Sequence, residues 1–219
     1  IFTGCLFQIS NNKLNVVAVD GFRLAWKSKF LQNKINDFTA VIPGRTLNEI
    51  NKIISDSFDN IKIGVAKNQA LFEMENCKVV TRLLDGEFLN YSSVIPENWE
   101  TRIRVNRDIL QNCFERVSLI SSSSIEKEKK YPVKVLVEIG KVTISCTNQT
   151  GDAKEEIYVE SEGKNLEAGF NPKYFLDALR AIDDEEVFVD FGTSISPCVI
   201  RPVEEGDYTY MILPIRLKD

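Results

Sequence analysis

The chain has 219 residues, a formal net charge of −5 and 43% hydrophobic residues, which is an ordinary composition for a globular protein with a substantial core. It contains no histidine, and this excludes Ser-His-Asp and Cys-His catalytic arrangements as well as HExxH metal sites. No Gly-rich phosphate loop is present, and no apolar run approaches the roughly 18 residues of a membrane span.

Alternation of apolar and polar residues dominates the sequence and predicts many short strands. In chain order the predicted strands are 14–20, 38–42, 61–66, 70–75, 79–84, 133–139, 141–146, 155–160, 187–191, 198–203 and 208–215. Turn pairs such as Asn11-Asn12, Gly140-Lys141 and Gly206-Asp207 separate several of them. This spacing indicates mostly antiparallel hairpins.

Three segments have the apolar spacing of amphipathic helices instead. The predicted helices are 44–58, 106–120 and 171–182. Thr46 and Glu49 have the spacing of a capping box in the first helix. Asn106 and Asn171 are predicted N-caps of the other two, and Pro172 occupies the first helical position. The sequence therefore predicts an α+β fold.

The order of elements repeats along the chain. A hairpin, a strand, a helix and three further strands occur in the first half and again in the second. Matching Leu14 to Lys141, Ile61 to Val187 and Leu83 to Leu213 gives separations of 127, 126 and 130 residues. A nearly constant separation indicates two copies of one domain.

We predict domains at 1–97 and 98–219, joined through the short stretch 96–100. The second copy begins with a strand and helix at 101–120, whose counterpart would precede residue 1. The first domain is therefore expected to lack its opening strand and helix. Because the chain starts at Ile1 instead of Met, we expect a fragment or a processed product.

Two further features bear on environment. The five cysteines are Cys5, Cys77, Cys113, Cys146 and Cys198. Their odd number and the absence of a CxxC pair predict buried, reduced thiols and a cytoplasmic location. The segment SSSSIEKEKK at 121–130 is predicted to be a mobile solvated loop, with a phosphorylation or nucleic-acid-contacting loop as the alternative.

Four segments resemble conserved motifs of one family, the bacterial DNA polymerase III β subunits or sliding clamps. AVDGFRLAWKS resembles the family segment A-T-D-G-H-R-L-A, and LLDGEFLNYSSVIP resembles L-D-G-x-F-P-D-Y-x-x-V-(L/I)-P. FNPKYFLDAL and YMILPIRL are similar to the family's F-N-x-x-Y helix and to its C-terminal segment. The four segments occur in the family's order and extend over nearly the whole chain.

The resemblance implies tandem clamp domains, with antiparallel sheets outside and helices lining the inner face. Members of the family have three such domains, and two subunits form a ring around duplex DNA. This chain would comprise most of the middle domain and the whole last domain, and would not close a ring alone. A non-catalytic processivity factor, without cofactor or metal, is implied, located in the cytoplasm at the nucleoid.

The resemblance places the helices beside DNA. The residues expected to face it are Arg45, Lys52, Arg107, Lys173 and Arg180. The three predicted helices sum to a charge of +1 and the remainder of the chain to −6. This distribution predicts weak, steeply salt-dependent contact with DNA, although ordinary solvated helix faces remain the alternative interpretation.

The resemblance also implies an apolar pocket for short peptide motifs of polymerases, the clamp loader and repair proteins. The implied pocket residues are Gly21, Phe22, Arg23, Leu24, Leu89, Val94, Asn171, Tyr174, Met211, Ile212, Leu213, Pro214, Ile215, Arg216 and Leu217. Asp20-Gly21 would then be a turn that orients part of the site. Phe22, Leu89 and Ser93 stand where the family commonly has His, Pro and Arg, which makes the expected rim more apolar and less basic.

Two other functional classes are considered. An enzyme with a carboxylate or cysteine nucleophile would need a convergent polar cluster, whereas the acidic residues mostly lie on predicted hairpin edges and helix faces. A tandem-domain ligand-binding or adhesion module is the stronger alternative, and it predicts paired cysteines. Five free thiols would favour the clamp over this module.

Overall fold

The structure, a computed structural model, describes residues 1–54, 61–75, 77–122 and 131–217. The chain divides into two units, Ile1–Tyr91 (unit 1) and Ser92–Asp219 (unit 2). Both units combine antiparallel sheets with helices, which confirms the predicted α+β class.

Unit 1 contains two antiparallel sheets and one helix. Its elements are β1 (Gly4–Ser10), β2 (Lys13–Val19), β3 (Arg23–Phe30), β4 (Phe38–Pro43), α1 (Gly44–Ile53), β5 (Lys62–Val65), β6 (Gln69–Met74) and β7 (Cys77–Arg82). The strand orders are β3-β2-β1-β4 and β5-β6-β7. A core cluster of Ile42, Ile50, Ala70 and Phe72 joins the helix to both sheets.

Unit 2 has the same plan with an additional strand and helix at its start. Its elements are β8 (Thr101–Asn106), α2 (Arg107–Ser122), β9 (Val133–Glu138), β10 (Lys141–Asn148), β11 (Gly151–Tyr158), β12 (Glu160–Gly163), β13 (Leu166–Phe170), α3 (Pro172–Leu179), β14 (Glu186–Phe191), β15 (Cys198–Pro202) and β16 (Tyr208–Ile212). The strand orders are β12-β8-β14-β15-β16 and β11-β10-β9-β13.

The core of unit 2 is built around aromatic rings on its two helices. Phe175 of α3 stacks on Phe114 of α2 with ring centroids 4.3 Å apart. Phe175 also meets Phe170 at the end of β13 in a T-shaped contact at 5.2 Å. All three rings are buried, so they bind both helices to one face of the sheet.

Two of the three predicted helix caps are confirmed. Asn106 Oδ1 accepts a hydrogen bond of 3.1 Å from the backbone N–H of Ile109. Asn171 Oδ1 accepts one of 3.1 Å from Lys173, and Pro172 is the first residue of α3. These bonds satisfy backbone donors that the first helical turn leaves without an intrahelical partner.

The predicted capping box of the first helix is wrong. The residue before α1 is Pro43, which has no side-chain acceptor, and the Thr46 hydroxyl instead shares a hydrogen bond of 2.9 Å with the Thr81 hydroxyl. Glu49 forms an ion pair with Lys52, with the two charged atoms 2.9 Å apart. The helix therefore begins two residues earlier than a capping box at Thr46 would require.

Three predicted helix ends also differ from the structure. The first helix ends at Ile53, where Ile54 is extended, and 55–58 lies outside the described residues. The third ends at Leu179 instead of 182. The second continues to Ser122, so the first two serines of the 121–130 segment are helical, and 123–130 lies outside the described residues.

One short strand was not predicted. β12 (Glu160–Gly163) contains no apolar residue, so the apolar alternation that identifies strands is absent from it. It forms at a sheet edge by antiparallel pairing with β8. Its tertiary pairing, and not its own residue pattern, determines its conformation.

The strand registers define the internal repeat. In unit 1, Phe7 pairs with Val16 and contacts the core cluster. In unit 2, Val135 pairs with Ile144, and both are core residues. Corresponding residues are therefore 128 positions apart here, whereas matching Leu14 to Lys141 implied 127.

Replacing Asn171 with Ala should lower the free energy of unfolding by about 1 kcal/mol, because the N–H of Lys173 loses its acceptor. Asn171→Ser should retain most of the stability. Thr46→Ala is the matched control, since Thr46 caps no helix, and it should cost less than about 0.5 kcal/mol. Urea denaturation of the full chain measures all three, and equal losses for Asn171→Ala and Thr46→Ala would contradict the cap assignment.

Candidate functional site

The first group of predicted site residues lies in the turn between β2 and β3. Asp20 Oδ1 accepts hydrogen bonds of 3.1 Å from the backbone N–H groups of Phe22 and Arg23. Asp20 Oδ2 accepts one of 2.8 Å from Arg23 Nε. Gly21 has a φ of +84°, which an L side chain rarely adopts. The Asp-Gly pair therefore forms a tight turn that holds the Arg23 guanidinium in place.

The ion pair also affects the acidity of Asp20. Partial burial raises the pKa of this carboxyl. The hydrogen bonds from Arg23 and Phe22 and the positive charge of Arg23 outweigh burial, so the pKa lies below its usual value. The turn consequently keeps its ion pair in neutral and mildly acidic solution.

Exposure distinguishes two neighbouring residues of this group. The Phe22 side chain is 60% exposed, whereas Leu24, two residues later in β3, is 2% exposed. Phe22 can contact a ligand directly. Leu24 belongs to the protein interior and can only support the surface that a ligand contacts.

Leu89 is in a different place in unit 1. It is 39% exposed and lines a cleft of about 440 Å³ formed by β1, β4 and the segment 83–91. A bond of 2.8 Å from Leu84 N–H to the Val41 carbonyl anchors this segment, and Tyr91 donates to Gln8 Oε1 at 3.2 Å. Residues 21–24 are not among the described residues that line the cleft.

In unit 2 the structure brings the start of α3 together with the C-terminal segment. The backbone N–H of Ile215 donates a hydrogen bond of 2.7 Å to the Gly169 carbonyl, two residues before the helix cap Asn171. A Cβ on Gly169 would lie 2.7 Å from the Ile215 carbonyl oxygen and 2.7 Å from the Leu217 side chain. The sequence analysis missed Gly169, although a glycine beside a matched motif is a known sign of close backbone approach.

The other predicted residues of unit 2 differ in exposure. Met211 and Ile212 are buried in β16, which packs against α3. Val94 and Ile215 are 37% and 39% exposed. Tyr174 in the first turn of α3 is half-buried against the core. The remaining predicted positions are the half-buried Leu213, Pro214 and Leu217 and the exposed Arg216.

Three of the five cations predicted to face DNA are in ion pairs. Lys52 pairs with Glu49 at 2.9 Å, and Arg107 pairs with Asp108 at 2.8 Å. Arg180 of unit 2 pairs with Glu115 at 2.9 Å. Arg45 and Lys173 are exposed and take part in none of the ion pairs found among the described residues. The positive charge on these helices is therefore largely neutralised.

The sequence analysis also missed a charged cluster on unit 2. Arg102 of β8 binds Asp190 of β14 through two hydrogen bonds of 2.5 and 2.8 Å. The guanidinium lies over the Trp99 and Phe188 rings at 4.8 and 4.4 Å. The Asp190 side chain is 6% exposed and also lies 3.4 Å from Arg201 Nε. Arg102 and Asp190 are direct cross-strand partners, which only the strand register reveals.

The described residues contain no group of three or more His, Cys, Asp or Glu that could hold a metal ion. All five cysteines are free, contrary to the pairing expected of an adhesion module. Cys5 and Cys77 are half-buried, which corrects the prediction that all five are buried. Burial raises the pKa of Cys5 to about 11, so its thiol is a weak nucleophile. Among the helices that the structure describes, none is both long and apolar enough to cross a membrane.

Family models match both units. The model described as the central domain of the DNA polymerase III beta subunit matches residues 1–90. The model described as the C-terminal domain of the same subunit matches residues 92–216. Together they extend over nearly the whole chain.

Individual relatives agree with the family models. The beta sliding clamp of Staphylococcus epidermidis is 35% identical over 218 residues, which is 99% of this chain and 57% of the relative. The sliding clamp structure from Bacillus subtilis matches with a TM-score of 0.93 and 30% identity, over 99% of this chain and 57% of that one. The DNA polymerase III beta chain of Streptococcus pneumoniae gives 0.90 and 32%, over 99% and 58%. The chain thus spans a little more than half the length of the relatives it matches.

Asp190→Ala should lower the stability of unit 2 by about 2 kcal/mol, because it leaves Arg102 without its buried partner. The loss is smaller than for a fully buried pair, since a quarter of the Arg102 side chain is exposed. Glu186→Ala on the same strand is the matched control, because its pair with Arg104 is exposed. Thermal unfolding should show a lower midpoint for Asp190→Ala alone, and similar shifts in both variants would contradict the structural role of Asp190.

Proposed function

The chain belongs to the DNA polymerase III beta subunit family, and from that membership we propose that it is part of a sliding clamp that holds the replicative polymerase on duplex DNA. The consecutive matches to the central-domain and C-terminal-domain models support this most strongly. Unit 1 would be the middle clamp domain and unit 2 the last. The division at 1–97 and 98–219 stays a prediction.

The proposed clamp works without catalysis, in the cytoplasm at the nucleoid. In the complete protein two subunits would form a ring around DNA, and the ring would retain DNA by enclosing it. Such a ring must move along any sequence, so tight phosphate contacts would oppose its function. The ion pairs of Lys52, Arg107 and Arg180 support this proposal, since they leave little positive charge to bind phosphate.

We further propose that the predicted pocket residues bind short peptide motifs of polymerases, the clamp loader and repair proteins. Exposure divides these residues by role. Phe22, Leu89, Val94 and Ile215 have large exposed apolar surfaces and would contact the peptide. The buried residues of the set, Leu24, Met211 and Ile212, would support those surfaces.

The expected affinity suits a site that several partners share. A peptide that buries about 300 Å² of apolar surface gains roughly 7 to 8 kcal/mol at about 25 cal/mol per Å², before ordering costs. After those costs a flexible peptide should bind with a Kd near the micromolar range or weaker. Partners can then exchange on one clamp.

For DNA, we expect a Kd weaker than about 100 µM for open linear duplex at physiological salt. Since two of the five predicted cations lie outside ion pairs, the slope of log K against log salt should be about −2, which is shallower than the sequence alone suggested. Lys173→Ala should reduce this slope, and Lys34→Ala, an exposed loop lysine, should leave it unchanged. Fluorescence anisotropy with a labelled duplex measures both, and submicromolar binding would contradict the proposal.

For peptide, we expect saturable binding of a labelled Gln-x-x-Leu-Phe peptide with a Kd near micromolar. Phe22→Ala should weaken it about ten-fold, because an exposed aromatic contact is lost. Fluorescence polarisation measures both values. Leu24 is unsuitable for this test, since a charge at a side chain 2% exposed would disturb folding.

Phe30→Ala is the matched control for Phe22→Ala. Phe30 is 72% exposed and ends the same strand that follows the turn, so its removal should leave peptide binding unchanged. Circular dichroism should show that both variants remain folded. Equal weakening by the two substitutions, or no binding by the folded parent chain, would contradict the assignment of Phe22.

A further inference from the structure

The two units differ in how they cover equivalent strands. In unit 2, β14 pairs with β15 on one side and with β8 on the other. Its counterpart in unit 1 is β5, which pairs with β6 alone among the described strands. The free edge of β5 presents backbone donors and acceptors that a further strand can bind.

Side-chain burial follows this difference. Ile63 of β5 faces Phe72, as Val189 of β14 faces Ile200. Ile63 is 44% exposed, whereas Val189 is completely buried. An apolar residue that unit 2 keeps in its core is therefore open to solvent in unit 1.

The helix shows the same difference. Ile54 follows α1 and is 38% exposed, whereas its counterpart Ile182, which follows α3, is 3% exposed. Leu47 corresponds to Phe175, the residue on which Phe114 of α2 stacks. No described helix of unit 1 takes the place of α2. We call the surface formed by Leu14, Val16, Lys27, Ile54 and Ile63 the open face.

Charge gives the open face a specific preference. In unit 2, Arg116 of α2 binds Glu155 through two hydrogen bonds of 2.8 Å. Glu155 pairs with Ile144 across β10 and β11, and the corresponding partner of Val16 is Lys27. The base in unit 1 thus stands where unit 2 has an acid. A helix that covers the open face should carry a carboxylate where α2 carries Arg116.

We propose that the open face of unit 1 binds a partner segment that folds into a β-strand followed by an amphipathic α-helix, with an acidic residue at the position equivalent to Arg116. The strand extends the sheet at the edge of β5, and the helix covers Val16 and Ile63 and pairs with Lys27. This partner differs from the short peptide motifs of the proposed function and does not depend on them.

The affinity should be moderate. The segment buries a continuous apolar stripe and forms a ladder of backbone hydrogen bonds. It must also become ordered on binding, which offsets much of that gain. We therefore expect a Kd on the order of tens of micromolar.

The test uses a fluorescein-labelled peptide with the sequence of residues 101–122 carrying Arg116→Glu, titrated with the full chain. We expect saturable binding, and binding about five-fold weaker for the same peptide with its Arg116 retained, because Lys27 then meets a like charge. The chain variant Lys27→Glu should reverse this preference. Lys27 is exposed, so its replacement leaves the core intact.

Two further chain variants locate the binding site. Ile63→Glu should abolish binding, while Val80→Glu should retain it. Val80 is 61% exposed on β7 and pairs with Leu71, so it lies on the opposite face of the same sheet. Circular dichroism establishes that both variants are folded.

Three results would overturn the proposal. They are no saturable binding of the Arg116→Glu peptide, binding that survives Ile63→Glu, and a charge preference that Lys27→Glu does not change. Dimerisation of the chain alone that Ile63→Glu abolishes, measured by sedimentation, would also overturn it, since a second copy would then occupy the face.

Discussion

The packing of Phe175 against two other rings holds unit 2 together. Its ring stacks on Phe114 of α2 and meets Phe170 edge-on, so that one side chain links both helices to the end of β13. The C-terminal segment depends on the same strand, because Ile215 pairs with Gly169 just before Phe170. The geometry of the candidate site in unit 2 is therefore a consequence of core packing and not of the surface residues alone.

Local pattern predicted most elements, because strands and helices each bury one face with a fixed period. It failed where long-range pairing decides conformation, as in the polar strand β12, and where two caps compete. Thr46 and Glu49 satisfy the capping-box spacing, yet Thr46 bonds Thr81 of β7, a residue 35 positions away. Sequence spacing cannot weigh a distant partner against a local one.

Register was the most consequential uncertainty. A repeat separation of 127 pairs Leu14 with Lys141, whereas the observed separation of 128 pairs it with the core residue Val142. Because side chains alternate between faces, a slip of one residue exchanges core and solvent faces throughout a strand. Composition alone does not fix this, since both alignments match apolar segments. The hydrogen-bonded ladders fix it, and only with them can the exposures of the two units be compared.

The candidate site shows what motif resemblance can and cannot supply. Resemblance placed Phe22 and Leu24 in one set, but the turn at Asp20 leaves the first exposed and strand β3 buries the second. In the same way a count of charges on the helices omitted the ion pair between Arg180 and Glu115, which are 65 residues apart. Membership in a motif identifies which residues belong to a functional region. Burial and pairing then determine which of them are available to a partner, and these follow from contacts that no single segment encodes.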